Sequence, residues 1–406
     1  MIIPELLSPA GDLERLKVAF AYGADAVYLA GKALGMRAKA RNFEIDELRE
    51  GVKYAHNLGK RVYVTVNIIA RNEDFVNIED YFHELGDINP DALIISDLGI
   101  FDVARKILPD MEIHISTQAN TTNFASVNFW KSLGASRIIL ARELSLREIS
   151  EIQARSRGVE LECFVHGAMC MAYSGRCLIS NYMNGRDANR GGCSHPCRWD
   201  YALVEEKSGA VIPVFEDDEG THIFSSKDLC MIEHIPELID AGIRSFKIEG
   251  RMKTVYYVAS VTKTYREAID DFVSDPELYV SRIPYYKEQL SKICHREYTT
   301  GFYFGPISEN DHCYTDGSHT KTQDFYAIVD DYDPVSGFAF IQQRNKFGVG
   351  ESVEIFKTSG ENFSQVIDEL FDIAGNPVIS APHPQQKLKF RTSQPVAQFD
   401  IIRRKI

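Results

Sequence analysis

The sequence predicts a parallel (β/α)8 barrel followed by a smaller domain built only of β-strands. From residue 3 to about residue 250, short apolar runs alternate with stretches of helical periodicity, and there are eight such runs. Short, mostly apolar strands are typical of a parallel sheet covered by helices. From residue 322 onward the helical periodicity gives way to short β-type runs. We therefore expect a TIM-like barrel over residues 1–320 and a small β-barrel over residues 321–406.

The apolar runs are the predicted barrel strands. They are PELLS (4–8), DAVYLA (25–30), RVYVTVNI (61–68), DALIISD (91–97), EIHIST (112–117), RIILA (137–141), ELECFVHG (160–167) and IRSFKIEG (243–250). A glycine suited to a left-handed helix end precedes four of them, at Gly23, Gly59, Gly134 and Gly242. Ser145 and Glu148 have the spacing of a capping box. A doubly wound open sheet is the alternative, but no GxGxxG follows the first strand.

The alternation is interrupted once, between the seventh and eighth strands. Residues 168–226 intrude there, and the runs YALVEE, VIPVFED and THIFSS alternate like a small antiparallel sheet. We expect a helix over KDLCMIEHIPELIDA (227–241), another at about 253–270, and an irregular, aromatic segment over 271–320. The predicted C-terminal strands are FYAIVDDYD, GFAFIQQRN, ESVEIFK, QVIDELFD, KLKFRT and FDIIRRK.

Composition limits the location and the partners of the chain. The start has no basic segment followed by an apolar core, and no stretch reaches the roughly 18 apolar residues of a membrane span. We expect a cytoplasmic protein with no membrane partner, whose eight cysteines stay reduced. A formal net charge of −13 argues against general coating of nucleic acid, although local basic patches can override it.

Basic side chains gather where the predicted barrel strands end, which is where such barrels carry their chemistry. The candidates for binding an anionic substrate are Arg37, Arg41, Arg142, Arg176, Lys247 and Arg251, and the insertion adds Arg186, Arg190 and Arg198. Nucleic acid and a small dicarboxylate both suit such groups. Gln118, His166 and Glu249 follow or end other strands and are the catalytic candidates, with His166 or Glu249 moving protons. For any single arginine, a solvated loop charge is the plainer interpretation.

Five cysteines lie on or beside the insertion, with the spacing C-x6-C-x15-C-x3-C-x32-C from Cys170 to Cys230. Cys163 falls inside the seventh strand and is expected to pack in an apolar wall. Structural zinc favours C-x2-C pairs, which this pattern lacks. An iron–sulfur cluster needs four thiolates and tolerates irregular spacing, so the pattern favours it slightly over zinc.

Several motifs resemble the collagenase-type peptidase family U32. The segment ELECFVHGAMCMAYSGRCLIS carries its signature at Glu162, Phe164, Gly167, Ala168, Cys170, Gly175, Cys177 and Ser180. Three further stretches are similar: the opening ELLSPAGDLERLKVAFAYGADAVYLAG, FKIEGRMKTVYYVASVTKTYREAID and REYTTGFYFG. The resemblance covers nearly the whole chain.

The resemblance implies hydroxylation rather than proteolysis. Members of the family form 5-hydroxyuridine at the tRNA wobble position with prephenate as hydroxyl donor, hydroxylate a ribosomal RNA cytidine, or support ubiquinone hydroxylation. They share a [4Fe-4S] cluster, whose matching ligands here are Cys170, Cys177, Cys193 and Cys230, with Cys197 the alternative to Cys230. The length and the β-domain are most similar to the tRNA branch.

Two other functions stay open. The family name suggests a collagenase-type peptidase, but the sequence has no H-E-x-x-H and no G-x-S-x-G. The chain is alternatively an accessory subunit that works with a homologous partner, in the ribosomal RNA or the ubiquinone pathway.

Overall fold

The computed structural model describes residues 3–32, 34–35, 42–170, 172–199, 203–204, 211–212, 216–217, 220–221, 226–307, 311 and 321–406. The chain forms two compact units. The first comprises Met1–Lys287 and His295–His319, and the second comprises Glu288–Cys294 and Thr320–Ile406.

The first unit is a closed barrel of eight parallel strands, as predicted. The strands are β1 (Glu5–Pro9), β2 (Ala26–Leu29), β3 (Arg61–Val66), β4 (Ala92–Ile95), β5 (Glu112–Ile115), β6 (Arg137–Ile139), β7 (Glu160–Ala168) and β13 (Ser245–Ile248). Each pairs in parallel with the next, and β13 pairs with both β7 and β1 to close the ring. The eight apolar runs of the sequence supply these eight strands.

Helices follow the barrel strands. They are α1 (Leu13–Ala21), α2 (Ile45–Asn57), α3 (Ile78–Ile88), α4 (Leu98–Ile107), α5 (Phe124–Ser132), α6 (Leu146–Arg155), α8 (Ile235–Asp240) and α9 (Val255–Ser274). The capping box at the start of α6 is present, since the Ser145 backbone N–H donates to Glu148 and the Glu148 N–H donates to the Ser145 hydroxyl. All four predicted helix-ending glycines have positive φ angles. Local capping signals therefore located these helix ends correctly.

The barrel interior holds a buried ionic network near the amino-terminal ends of the strands. The Glu162 carboxylate, fully buried on β7, accepts from Lys247 at 2.7 Å and from Arg137 at 3.2 Å. Glu5 accepts hydrogen bonds from the Tyr63 hydroxyl at 2.6 Å and from Ser245 at 2.9 Å, and it also pairs with Arg137. Burial alone would raise the pKa of Glu162, but Lys247 and Arg137 outweigh it and lower that pKa. The network closes the amino-terminal end of the barrel interior.

The insertion is less regular than its length suggests. It contains α7 (Ile179–Asn184), 3-10 turns at Ala188–Arg190 and Pro196–Arg198, and two short antiparallel pairs. The pairs are β8 (Leu203–Val204) with β9 (Val211–Ile212), and β10 (Glu216–Asp217) with β11 (Gly220–Thr221). These pairs carry the predicted antiparallel alternation, although most of residues 200–225 fall outside the described part.

The prediction of one helix over residues 227–241 is wrong in its first half. Asp228–Cys230 forms β12, which runs antiparallel to β7 and parallel to β14 (Tyr298–Thr299). The cause is a tertiary contact. The Asp228 carboxylate accepts hydrogen bonds from Arg296 Nε at 3.1 Å and from the Arg296 backbone N–H at 3.2 Å. That buried pair holds the segment extended against the sheet.

The expectation of irregular chain over residues 271–320 is also wrong in part. Pro276–Ser291 forms α10, with Pro284 inside it. Tyr279, Tyr286 and Leu290 from this helix are buried, and the Tyr279 hydroxyl donates to the Ile232 carbonyl at 2.8 Å. Their spacing of seven and four places them on one helical face, so packing overrides the internal proline.

The second unit is an antiparallel half-barrel, in agreement with the predicted β-only domain. Its strands are β15 (Gln323–Asp333), β16 (Phe338–Gln343), β17 (Phe347–Gly348), β18 (Ser352–Phe356), β19 (Phe363–Val366), β20 (Phe371–Asp372), β21 (Ser380–Ala381), β22 (Lys387–Arg391) and β23 (Ile401–Lys405). Seven of them form one sheet in the order β19-β18-β23-β15-β16-β22-β20, and β17 pairs with β21. The predicted single strand QVIDELFD is divided between β19 and β20.

Among the described residues, none of the helices combines the length and the apolar character that a membrane crossing requires.

Candidate active site at the barrel mouth

An inner cavity opens at the carboxyl ends of the barrel strands, above the ionic network. Its lining includes Tyr28, Asn67, Gln118, Phe164, Lys247, Glu249 and Arg251. Lys247 lies at the base, with Nζ 4.4 Å from the Tyr28 ring centroid and 5.5 Å from that of Phe164. Arg251, only 6% exposed, donates to the Thr65 hydroxyl at 3.3 Å. The lining of the inner cavity thus combines aromatic rings with several polar and charged side chains.

An outer cavity lies between the barrel mouth and the insertion. Four of its lining residues are Cys170, Cys177, Cys193 and Cys197, and its basic side chains are Arg142, Arg186, Lys253 and Arg296. It shares Thr117, Gln118, Phe164 and Glu249 with the inner cavity. The two cavities therefore share a wall, and thiols and cations line the outer one.

The first cysteine loop is fixed to the ends of β5 and β6. The Glu143 carboxylate, just after β6, accepts from the Ser174 backbone N–H at 2.9 Å, and Asn120, after β5, donates to the Ser174 carbonyl at 2.9 Å. Gly175 packs directly on Gln118, where a Cβ atom would come within 2.3 Å of the Gln118 carbonyl oxygen. The loop between Cys170 and Cys177 is therefore held in place by residues outside it.

A second clamp fixes the other half of the insertion to the loop after β3. The Arg190 guanidinium pairs with Asp74 and, at 3.2 Å, with Glu73, while Arg71 pairs with Asp187 at 3.1 Å. The Arg190 charge is committed to these acids, so this arginine anchors the insertion and does not enlarge the anion-binding surface that the sequence suggested.

The thiols of the outer cavity suit a metal cluster in type and number. All cysteines that the structure describes are free. Burial raises the pKa of Cys177, partly offset by backbone N–H donors, and the neighbouring Cys170 and Cys193 add to the rise. Within the described residues, no group of three or more His, Cys, Asp or Glu side chains is arranged to hold a metal ion. The donor set fits an iron–sulfur cluster, and assembly would have to draw the thiols together.

Cys230 faces a different environment. Its backbone lies opposite His166 in the β7–β12 pairing, and the Tyr265 hydroxyl lies 3.9 Å from its sulfur. Burial raises the pKa of Cys230 to about 11. The described residues that line the outer cavity include Cys197 and not Cys230.

His166 lies in a buried aromatic cluster. Its ring centroid is 5.5 Å from that of Tyr265 and 5.4 Å from that of Tyr298, and its Nδ1 is 3.5 Å from the Tyr265 hydroxyl. Burial lowers the pKa of His166 to about 3, so the imidazole is neutral at pH 7. The described residues along the two cavity walls do not include it. The other two catalytic candidates, Gln118 and Glu249, line both cavities.

The predicted basic residues divide into three groups. Arg142 lines the outer cavity, where it donates to the Ala168 carbonyl at 2.9 Å, and Lys247 and Arg251 line the inner cavity. Arg176 is exposed and is not among the described residues of either wall. Arg37 and Arg41 lie outside the described residues.

Sequence reasoning did not select several residues that the site uses. Asn67 and Lys253 end or follow predicted strands and were passed over, although their positions carried the same signal as Gln118. Glu143 also follows a predicted strand, but its pairing with Ser174 gave no signal, because the two residues lie 31 positions apart in sequence.

In comparisons with known proteins, both parts of the chain match models of one family. The model named Peptidase family U32 matches residues 11–312, and the model named Peptidase family U32 C-terminal domain matches residues 321–403. A Bacillus subtilis (strain 168) protein named tRNA hydroxylation protein P1 is 42% identical over 401 residues, which is 99% of this chain and 94% of the relative. An Escherichia coli (strain K12) protein named tRNA hydroxylation protein P is 37% identical over 422 residues, covering 94% of this chain and 92% of the relative.

A further relative has a different named substrate. The Escherichia coli (strain K12) protein named 23S rRNA 5-hydroxycytidine C2501 synthase is 38% identical over 271 residues, which is 67% of this chain and 40% of the relative. All three relatives are named for hydroxylation or a hydroxylated nucleoside of RNA: two names refer to tRNA and one refers to 23S rRNA.

Proposed function

The chain belongs to peptidase family U32, and from that premise we propose that it hydroxylates RNA, forming 5-hydroxyuridine at the tRNA wobble position with prephenate as hydroxyl donor and a [4Fe-4S] cluster as cofactor. The supporting observation is the joining of thiols and cations in one cavity at the barrel mouth. Relatives that cover nearly the whole chain are named for tRNA hydroxylation. The substrate of the named relatives thus agrees with the chemistry of the site.

Cys170, Cys177 and Cys193 are the proposed cluster ligands from the insertion. Cys230 is the fourth ligand that the family resemblance assigns, and Cys197, which lines the same cavity as the other three, is its competitor. When bound, an iron–sulfur cluster supplies one-electron and Lewis-acid chemistry at the cavity wall. The loop anchors Glu143 and Gln118 would then fix two of the ligand-bearing residues relative to the barrel.

The basic groups of the outer cavity are the proposed binding site for the anionic donor and the RNA backbone. Arg142, Arg186 and Lys253 all line it, and Arg142 is held by the Ala168 carbonyl, so its guanidinium is already oriented. A planar guanidinium binds carboxylate or phosphate through two hydrogen bonds. The basic groups thus explain how a chain of net charge −13 accepts anionic substrates.

Glu249 is the proposed proton acceptor or donor. Its carboxylate lies 3.3 Å from the Tyr28 hydroxyl, and it lines both cavities, so it lies on the route between the donor and the inner cavity. His166 is a less suitable candidate, because a neutral imidazole enclosed by tyrosine rings lies away from the cavity walls. Gln118 is suited to hydrogen bonding with a substrate rather than to proton transfer.

Mass spectrometry of tRNA nucleosides tests the proposal. We expect 5-hydroxyuridine to be lost from a strain that lacks this protein and to return with the wild-type chain but not with Cys177→Ala. Unchanged 5-hydroxyuridine in the deletion strain would exclude the proposed function. Cleavage of gelatin by the purified, cluster-free chain would support the peptidase instead.

A further inference from the structure

We propose that the inner cavity binds the target pyrimidine base itself, with the side-chain amides of Asn67 and Gln118 recognising its polar edge. This inference rests on the proposed RNA hydroxylation and names the part of the substrate that enters the barrel. The two substrates would then bind in different places, the base in the inner cavity and the anionic donor in the outer cavity.

The walls of the inner cavity suit a flat ring. The Tyr28 and Phe164 rings both lie close to the Lys247 ammonium group, and Ile94 and Ile139 add aliphatic surface. Both aromatic side chains are nearly fully buried, at 4% and 7% exposure, so their positions are fixed by packing. Proteins that do chemistry on a nucleobase take it out of its stack and enclose it between apolar and aromatic side chains.

Two residues that line this cavity carry a hydrogen-bond acceptor that lacks a donor. Asn67 Oδ1 and Gln118 Oε1 are buried and have no hydrogen-bond partner among the described residues. Asn67 Nδ2 donates to the Ser116 hydroxyl oxygen at 3.0 Å, which also accepts from the Gln118 backbone N–H at 3.3 Å. The Ser116 hydroxyl oxygen therefore holds the Asn67 amide through its nitrogen, and a bound base would reach the amide oxygens after a small rotation of the two side chains.

An unsatisfied buried acceptor is costly, so the two amides indicate a ligand that donates hydrogen bonds. Uracil offers one donor, N3–H, which can pair with one of the two amide oxygens, and its two carbonyl oxygens can accept from an amide nitrogen; cytosine offers the two hydrogens of its exocyclic amine. A carboxylate, by contrast, only accepts hydrogen bonds and would leave both amide oxygens unpaired. The polar edge of a pyrimidine is the better complement to Asn67 and Gln118.

The charges of the inner cavity also favour a neutral ligand. Lys247 is paired with Glu162 at 2.7 Å, and Arg251 shares the cavity with Glu249. The cations are thus accompanied by acids, and a dianion would gain little net attraction there. Arg142 and Arg186 line the outer cavity, which is therefore the better binding site for a phosphate or carboxylate group.

The position of the two cavities suggests the route of the base. Thr117, Gln118, Phe164 and Glu249 lie between the cavities and line both, so a base that entered from the outer cavity would pass the thiols before it reached Asn67. A nucleotide in an unpaired anticodon loop pays only for unstacking, which lowers the energetic cost of insertion.

Photo-crosslinking locates the base directly. The probe is an anticodon stem-loop RNA with 4-thiouridine at the wobble position, bound to the full-length chain purified without oxygen and irradiated before peptide mapping. We expect crosslinks to the inner wall, at Tyr28, Phe164 or the Thr117–Ala119 turn, and a much lower yield when the thiouridine is moved one position along the loop. Crosslinks confined to residues 172–199, or none in a complex shown to form by filter binding, would overturn the inference.

Two substitutions test the amides. Asn67→Leu and Gln118→Leu should each lower the crosslink yield and reduce tRNA turnover about tenfold or more, the factor that corresponds to one lost hydrogen bond. The matched control is Asn128→Leu, whose amide donates to the Arg155 carbonyl on the outer helices. Circular dichroism melting of each variant separates loss of binding from loss of folding.

The results distinguish this inference from the proposed function. A wild-type chain that forms no hydroxylated nucleoside contradicts the function. A wild-type chain that forms it, while Asn67→Leu raises only the KM for the donor, contradicts the base-binding inference alone and assigns the inner cavity to the donor.

Discussion

Gly175 lies against Gln118 so closely that a Cβ atom on the glycine would meet the Gln118 carbonyl oxygen at 2.3 Å. The contact joins the first cysteine loop to the end of β5, and Gly175 also has a φ of +71°. Both features require glycine, because an L side chain would be strained and would collide with backbone that cannot move away. The position of the first cysteine loop therefore depends in part on this close approach.

Gly175→Ala should displace the cysteine loop and lower the iron content of the purified protein. The matched control is Gly185→Ala, since Gly185 has a nearly identical φ of +69° and a Cβ atom added there would have nothing within 4 Å. Backbone strain is thus common to both variants, and only Gly175→Ala adds the collision. Iron and sulfide analysis would check this, and equal iron in the two variants would mean that the contact does not position the thiols.

Cysteine substitutions should identify the cluster ligands. We expect Cys170→Ala, Cys177→Ala, Cys193→Ala and Cys230→Ala to lose iron and sulfide, and Cys197→Ala to keep them, because the family resemblance places the fourth thiolate at Cys230. Cys294→Ala is the control, as this exposed free cysteine belongs to the second unit. The reverse result for Cys197 and Cys230 would assign the fourth ligand to the thiol that already lines the cavity. Stoichiometric zinc without iron would contradict the cluster.

Arg142→Ala should weaken RNA binding and reduce the slope of log affinity against log salt by about one, as expected for the loss of one phosphate contact. If Arg142 instead binds the donor, RNA affinity stays unchanged and product is lost. Arg157→Ala is the control, because Arg157 is exposed, lies just before β7 at the other end of the barrel, and carries the same charge. Salt titrations of binding measure the slope, and equal behaviour of the two variants in binding and in product formation would show that the mouth arginine has no special role.

Glu162→Gln should destabilise the first unit by about 3–5 kcal/mol, because it leaves the buried Lys247 without its counter-charge and removes one of the carboxylate partners of Arg137. The control Glu160→Gln removes a half-exposed partner of the same arginine and should cost about 0–1 kcal/mol. Urea unfolding of the wild type and the two variants measures both changes in the free energy of unfolding. Equal costs would show that the buried network does not contribute as its geometry implies.

Acid should reduce the difference between wild type and Glu162→Gln. The pKa of Glu162 is lowered in the folded state, so its contribution is present above the ordinary glutamate pKa and is lost as the pH falls through the lowered value. Unfolding measured at neutral and at strongly acidic pH would test the sign. A difference that grew on acidification would contradict the assigned charge state.

Periodicity was sufficient for the barrel, because each strand and helix is defined within a few residues by its own apolar pattern and caps. It failed at Asp228–Cys230 and Pro276–Ser291, where partners distant in sequence decide the conformation: Arg296 holds the former as a strand, and buried tyrosines hold the latter as a helix despite Pro284. Both errors lie where tertiary contacts override the local pattern.

The site was predictable in outline and not in its details. The strand-end positions pointed to Gln118, Glu249 and Arg142, and the structure places these three residues in the lining of one cavity. The roles of Arg190 and His166 were not predictable, since the acids around Arg190 and the aromatic rings around His166 come from other segments. Residue type and position along the chain do not show whether a charge faces substrate or a structural partner.

Transfer of labelled oxygen in a purified reaction tests the central proposal most directly. The wild-type chain, prepared without oxygen and supplied with unmodified tRNA and prephenate labelled with 18O, should yield 5-hydroxyuridine that carries the heavy isotope, as measured by nucleoside mass spectrometry. The label is placed in the ring hydroxyl group of prephenate, so that formation of unlabelled 5-hydroxyuridine would contradict prephenate as the donor. The absence of any hydroxylated nucleoside, with iron and sulfide present in the protein, would contradict RNA hydroxylation by this chain.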